Sequence, residues 1–335
     1  MAGVADTGYF AISTESTAGT AETTPEDFLQ VEEVNFEWEN EFIDVRTIQG
    51  SRQAVEVLDG AVRPSATVRS PLYASGAVGR IFYGLLGGYS TAVEGSSATA
   101  QRHTFEDAAS LPSFTLERAD ARQGEGGLLC QRMAGAKVES VSMSCAFGEK
   151  VDLEVQFQAT KKPVTATAVA DGSVVYPTET PMYFLGAVVE VDDVASTDFK
   201  SVQLEMRNTL ERQDSLRGSA ESYIIAEGGF DVTLSGMLTF DSLDMYNRFS
   251  NGTEMKVEFI FTSDTAAAAD GPGNVYYLVH VTMPKVKISR LSIPYTAGGV
   301  IEADATFRVL YDKTTGVTIT PEIVNLDAAS AYDAA

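Results

Sequence analysis

Basic residues are scarce in this chain of 335 residues: 24 Lys and Arg stand against 47 Asp and Glu, for a formal charge of -23. That balance excludes the broad cationic surface with which a protein grips nucleic-acid phosphates or an anionic membrane. It is compatible with a surface along which a polyanion passes without sticking. The little lysine among so much acid suits a high-salt environment, where screening shortens to about 3 Å at 1 M and self-repulsion fades. Histidine occurs twice, as His103 and His280, and neither has a second His or Cys at metal-ligand spacing. The two cysteines, Cys130 and Cys145, sit in apolar stretches and read as free buried thiols. No run approaches the roughly 18 apolar residues of a membrane span, and the opening MAGVADTGYFAISTESTAGT has neither the basic nor the long apolar part of a signal peptide.

Catalytic signatures are missing too. There is no GxSxG, Walker A or dinucleotide fingerprint, and the glycine-bearing stretches GGYSTAVEG and GEGG precede no helical pattern. Carboxylate pairs are too numerous for any one to mark a glycosidase dyad. Glu190, Asp192, Asp193 and Asp198 offer oxygen ligands without EF-hand spacing and read as an acidic loop. These absences predict no enzyme, no cofactor and no metal.

What is present is alternation. Lys137 to Lys162 forms two alternating runs around a short Gly-containing turn, and a similar pattern returns at Lys285 to Lys313. In each copy the apolar phase changes once, between Val138 and Val141 and between Ile288 and Leu291, which predicts a β-bulge in both first strands. The return strands alternate cleanly. Val151, Leu153, Val155 and Phe157 form an apolar face against Asp152, Glu154, Gln156 and Gln158; Ile301, Ala303, Ala305 and Phe307 do so against Glu302, Asp304, Thr306 and Arg308. A long hairpin with one apolar and one wet, acidic face suits a wall.

The correspondence extends beyond the hairpins. Val34, Phe36, Trp38, Asn40 and Phe42 match Val202, Leu204, Met206, Asn208 and Leu210 at a constant offset, continuing through Gly50-Ser51 with Gly218-Ser219 and Asp59-Gly60 with Glu227-Gly228. Val62, Ser65 and Thr67 then match Phe230, Thr233 and Ser235. One short helix per copy follows, Gly76 to Gly88 and Asp241 to Gly252, with Asp241 as N-cap and Gly88 and Gly252 as terminators. Ser113–Leu116 aligns with Glu258–Phe261, and Tyr9-Phe10 with Tyr183-Phe184. Glu33, Glu37, Glu39 and Glu41 share one side of a strand, so they must be solvated or balanced across strands. The fold expected is mainly β, two tandem sandwich or barrel-like domains with one short helix each. Its boundaries are 1–162 for the first domain, 163–181 for a Pro- and Thr-rich linker, 182–316 for the second domain and 317–335 for a C-terminal arm.

The opening GYFAISTESTAGTAETTPEDF, the stretch HTFEDAASLPSFTLER, GAKVESVSMSC with its hairpin, and FKSVQLEMRNTLER resemble the tail tube proteins of long-tailed phages and related archaeal viruses, over nearly the whole chain. The resemblance implies a structural virion protein made in the host cytoplasm, whose rings stack into a hollow tube for double-stranded DNA. A duplicated domain implies trimeric, pseudo-hexameric rings. Implied partners are further copies of the chain, the tape-measure, tail-tip and tail-terminator proteins, and DNA in transit without sequence-specific binding, with no membrane contact. On that reading the lumen-facing candidates are Asp152, Glu154, Gln156, Gln158, Glu302, Asp304, Thr306 and Arg308. Candidates for ring stacking are Thr47, Ile48, Arg52 and Val55 with their counterparts Leu216, Arg217, Tyr223 and Ile224. Segments 13–27, 48–59, 216–227 and 317–335 are expected to be arms that order only against neighbouring rings. The rival readings are the inner tube of a contractile tail or injection device and an extracellular β-rich binding module.

Overall fold

A computed structural model describes residues 8–46, 56–95, 99–120, 129–168, 173–239, 243–270, 273–295 and 301–333. The first half contains β1 (Tyr9–Thr14), β2 (Asp27–Leu29), β3 (Glu33–Val45), β4 (Glu56–Pro71), helix α1 (Gly76–Leu86), β5 (Gly87–Val93), β6 (Gln101–Asp107), β7 (Phe114–Ala119), β8 (Cys130–Ala146), β9 (Asp152–Ala159) and β10 (Val164–Thr165). The second contains β11 (Ala187–Val191), β12 (Val194–Ala195), β13 (Phe199–Gln213), β14 (Ile224–Thr239), helix α2 (Asp244–Asn251), β15 (Met255–Asp270), β16 (Gly273–Ser292), β17 (Glu302–Val309) and β18 (Thr320–Asn325). The fold is mainly β, and neither helix is long and apolar enough to cross a membrane.

Eight strands form one continuous antiparallel wall in the spatial order β3, β4, β9, β8, β13, β14, β17, β16. The two blocks of four repeat their irregularities. The β3–β4 ladder breaks register between Asn40 and Phe42, and the β13–β14 ladder between Asn208 and Leu210. A glycine serves each break: a Cβ on Gly60 would lie 2.7 Å from Glu41 O, and one on Gly228 3.0 Å from Thr209 O. The phase changes of the hairpins are register shifts as well, between Val138 and Ser140 in β8 and between Ile288 and Arg290 in β16.

The strands β8 and β16, 17 and 20 residues, are long because each serves two ladders. Their later parts belong to the wall. Their earlier parts join a second layer, where β8 pairs with β7 and β10, and β16 pairs with β15 and β18. The second layer continues as β2, β1 and β7 in one half and as β12, β11 and β15 in the other. Apolar residues of wall and second layer, Phe36, Val141, Phe157, Leu204 and Phe307 with Phe10, Leu116, Phe259 and Val281, form one core that spans both halves. Cys130 and Cys145 are free and buried.

Several sequence expectations are corrected. Leu116 lies opposite Met133 and Val257 opposite Met283, so Leu116 takes the place of Val257, four residues from the alignment read from the sequence. Ile12, opposite Leu116, then takes the place of Val191, opposite Val257. Tyr183 instead caps, and Phe184 opens, a short 3-10 turn, Phe184–Gly186. The helix stop in the first half is Gly87, at φ 89°, one residue before Gly88; Gly252, at φ 63°, stops α2. Asp241 lies outside the described residues, and the position before α2 is Leu243.

The expected C-terminal arm is no arm. β18 pairs with β16 on one side and β6 on the other, and Tyr332 is completely buried. Segment 13–27 is likewise tied to its own chain. The carboxylate of Glu15 accepts hydrogen bonds from Gly19 N (2.7 Å), Ser113 Oγ (2.7 Å), Thr115 Oγ1 (3.0 Å) and Gly135 N (2.7 Å). Such a buried carboxylate, with several donors on it, fixes the loop from inside.

Candidate wall surface

Alternation in β9 and β17 places the predicted residues as expected on one face. Leu153, Val155 and Phe157, with Ala303, Ala305 and Phe307, are buried, while Asp152, Glu154, Gln156, Gln158, Glu302, Asp304, Thr306 and Arg308 are half-buried or exposed on the other side. Strand pairing assembles this wet face from neighbours that the hairpins alone do not reveal. One row across the wall reads Glu33, Arg69, Glu154, Ser142, Glu205, Thr233, Arg308; the next reads Asp152, Ser144, Gln203, Ser235, Thr306. The second of these rows carries hydroxyls and amides across the middle of the face, while the first sets Glu154 and Glu205 among them. Ser142, Ser144, Gln203 and Ser235 are the polar alternates of β8, β13 and β14, a weaker sequence signal than the acidic alternates of β9 and β17.

Charges on this face are largely answered. Arg69 donates to Glu154 at 3.0 Å and lies 3.7 Å from Glu33. Lys150 contacts both Glu32, at 2.9 Å, and Asp152. Lys200 meets Glu302 at 2.5 Å, and Arg207 meets Glu139 at 3.0 Å. These pairs are mostly solvent-exposed, so each is worth about 0–1 kcal/mol and screens with salt. Their larger effect is to leave few unpartnered cations for phosphate to hold.

The ring-stacking candidates divide. Thr47, Ile48, Arg52 and Val55 lie outside the described residues. Their counterparts sit at the β13–β14 tip, with Leu216 fully exposed and Tyr223 and Ile224 at 65% and 44% exposure. Arg217 donates to the carbonyls of Glu221 (3.1 Å) and Ser222 (2.9 Å) and its guanidinium lies 5.4 Å from the Tyr223 ring centre. The tip is not free. Arg63 on β4 grips Asp214 with two hydrogen bonds of 3.0 and 2.7 Å, and Val62 N donates to Ala220 O at 2.9 Å. The 216–227 segment thus folds onto its own chain, and its end, from Ile224, is strand β14.

The remaining motifs also find partners within the chain. Asp192 and Asp193 form a two-residue hairpin turn with φ of 51° and 64°. Asp192 accepts from Arg248 (2.6 Å) and Asp193 from Lys256 (2.7 Å), so the acidic loop is met by cations of its own chain. His103 is buried between Thr91 (2.9 Å) and Asn325 (3.1 Å), and burial lowers its pKa. His280 has two carboxylate neighbours, Glu258 at 3.1 Å and Glu322 at 3.2 Å, supplied by β15 and β18, the strands on either side of it. The His280 hydrogen bond, with Arg102 at 2.6 Å, holds Glu322 down at about 2 against the opposing effect of burial. Among the described residues no group of three or more His, Cys, Asp or Glu is arranged to hold a metal ion.

Two comparisons bear on the wall. The family model described as "Phage tail tube protein" matches residues 6–309. A search of curated proteins returns no match.

Proposed function

Because the chain belongs to the phage tail tube protein family, with the structural tail role that this entails, we propose that it is the major subunit of a tail tube, assembled as stacked trimeric rings that carry double-stranded DNA to the host. The observation that carries this reading is the eight-stranded wall. Two blocks of four strands share pairing, register breaks and bulge glycines, as expected of two tandem copies of one domain with boundaries near 162 and 182. The residues between them, expected as a linker, touch both halves: Val164 faces Arg132 in β8, and Thr180 Oγ1 lies 2.9 Å from Ser263 Oγ.

A magnitude favours several copies over one. Eight strands closing on themselves leave room for side chains only. Three chains give 24 wall strands. With strands about 4.8 Å apart and tilted by about 40°, these enclose a backbone circle nearly 50 Å across, ample for a duplex after side chains are allowed for. The hydroxyl, amide and paired-acid face of β9 and β17 would line that lumen, where it repels DNA weakly and permits sliding. Tape-measure, tail-tip and terminator proteins are the further partners of this reading. Electron microscopy of the purified protein tests it: three-fold rings with six similar wall segments are expected. Persistent monomers at high protein concentration would sink it, and a map with Asp152, Glu154, Glu302 and Asp304 outside the tube would reverse the facing of the wall.

A further inference from the structure

The wall has two edges that no strand occupies among the described residues: the outer edge of β3, which pairs with β4 alone, and β16 beyond Val286, which pairs there with β17 alone. Inside the chain the corresponding edges are already joined. β8 pairs with β13, with Ser140 opposite Arg207, Val141 opposite Met206, Ser142 opposite Glu205 and Met143 opposite Leu204. The bulge of β16 lies 150 positions after that of β8 (138 to 288), and the break of β13 lies 168 positions after that of β3 (40 to 208). Resting on the tube reading, we propose that β16 of one copy pairs antiparallel with β3 of a second copy in the register of this internal seam. Arg290 then faces Glu39, Leu291 faces Trp38, Ser292 faces Glu37 and Ile293 faces Phe36.

Three observations outside the ladder support this register. Burial differs as an occupied and an empty edge require: Met206 is 0% exposed and Trp38, its counterpart, 40%. Asn208 is buried at the seam and its Nδ2 donates to Val138 O (3.2 Å) and Leu85 O (2.9 Å); Asn40 stands at the same place in the matching break, exposed, and would reach Ile288 O of the second copy. Lys137 crosses the internal seam to Glu227 and Ile225 O, and the same translation brings Lys287 to Asp59, with both signs preserved. The acidic row of β3 meets Arg290, whereas at the internal seam Arg207 meets Glu139. A slip of one residue would set the apolar side chains against the wet face, and a slip of two would part Lys287 from Asp59. Arg118 donates to Val34 O at 3.3 Å and Pro294 has no N–H, so the new ladder is bounded near Ile293.

The test uses the full chain with Lys287→Asp, Asp59→Lys, and both together. Each single change is expected to weaken self-association by about tenfold or more, and the double change to restore it, with only a small change in the melting of the free subunit, where Lys287 gives up a half-exposed ion pair with Glu254 (3.1 Å). A Ser292→Cys, Glu37→Cys chain should form a disulfide between copies upon mild oxidation of assembled rings, while the buried Cys130 and Cys145 remain free. Rings that ignore the charge changes, or that cross-link only when Ser292→Cys is combined with Glu33→Cys or Glu41→Cys, overturn the register and leave the tube standing. Wild-type protein that never self-associates overturns both.

Discussion

The two helices follow equivalent wall strands, α1 after β4 and α2 after β14, yet one is interior and the other surface. All residues of α1 except Tyr83 are buried, whereas α2 buries Met245 alone. What differs is the cover. The β5–β6 hairpin follows α1 and sets Phe105 against Phe82 with ring centres 5.8 Å apart, and the C-terminal residues close over it. In the second half β15 comes directly after α2 and no such hairpin intervenes. Composition follows cover. A Cβ on Gly79 would lie 2.3 Å from the Tyr332 ring, and one on Gly84 2.5 Å from Phe114. Each glycine costs the helix about 1 kcal/mol relative to alanine, so close packing on both sides is the larger effect. α2 has no glycine and keeps Tyr246 and Phe249, with Leu243 just before it, partly in water.

The strongest way to break this comparison is to remove the lid from α1. Tyr332 is fully buried and packs against Tyr89, His103 and Phe105 at centroid distances of 5.1, 4.9 and 5.5 Å. Its carbonyl, with that of Ala331, accepts from Arg80. Tyr332→Ala is expected to cost about 3–5 kcal/mol, measured as a loss of urea stability in the free subunit. Tyr246→Ala on α2 should cost no more than about 1 kcal/mol. Equal losses would mean that the two helices are not differently supported.

That lid was invisible in the sequence, and the reason is physical. Strand alternation, the paired bulges and the constant offset of β3 and β13 are local periodicities, so they could be read from residues such as Val34, Phe36 and Trp38 without knowing any partner. The C-terminal segment alternates only briefly, with Val317, Ile319 and Ile323 against Thr318, Thr320 and Glu322, before it turns alanine-rich; it reads as an arm because its order comes from β6, β16 and α1, which lie elsewhere in the chain. The same holds for Glu15, whose four donors come from three separate segments, and for His280, whose carboxylate neighbours lie on β15 and β18. The wet face of β9 and β17 was legible, while the hydroxyl row of Ser144, Gln203 and Ser235 needed the strand order.

A smaller effect distinguishes the helix N-termini by pH. α1 has no acid in its first turn, α2 has Asp244, and at α1 the role falls to the nearby carboxylates of Asp27 and Asp327, which would lie 2.8 and 3.1 Å from a Cβ on Gly76. Burial, with Asp27 beside it, pushes Asp327 up to about 6 from its ordinary 3.8. A raised folded pKa means that this group's contribution is fully present below about pH 3.8 and is lost as pH rises through 6. Asp327→Asn, which stays uncharged, should therefore melt higher than wild type at pH 7.5, by up to about 3 kcal/mol, with the gap closing by pH 4. Glu322 acts in the opposite sense. Its pKa of about 2 gives stability present above 4.5 and lost toward pH 2, and since Glu322 and the buried His103 are common to both proteins, the difference between wild type and Asp327→Asn isolates Asp327.

The smallest expected effect sharpens the comparison from the other side. Phe249 is 37% exposed on α2 and lies on the last turn, before the Gly252 stop. At the internal seam the last turn of α1 is touched by β13, through Asn208 to Leu85 O. Carried over to the second half, β3 of a neighbouring copy comes against the last turn of α2 and supplies the cover that this helix lacks in the free chain. Phe249→Ser should then change the urea stability of the free subunit by no more than about 1 kcal/mol while raising the protein concentration needed for rings, measured by sedimentation. A loss of stability as large as that of Tyr332→Ala would show that α2 is already supported within its own chain. Unchanged self-association would show that α2 stays bare in the assembly, and the asymmetry between the helices would then belong to the subunit alone.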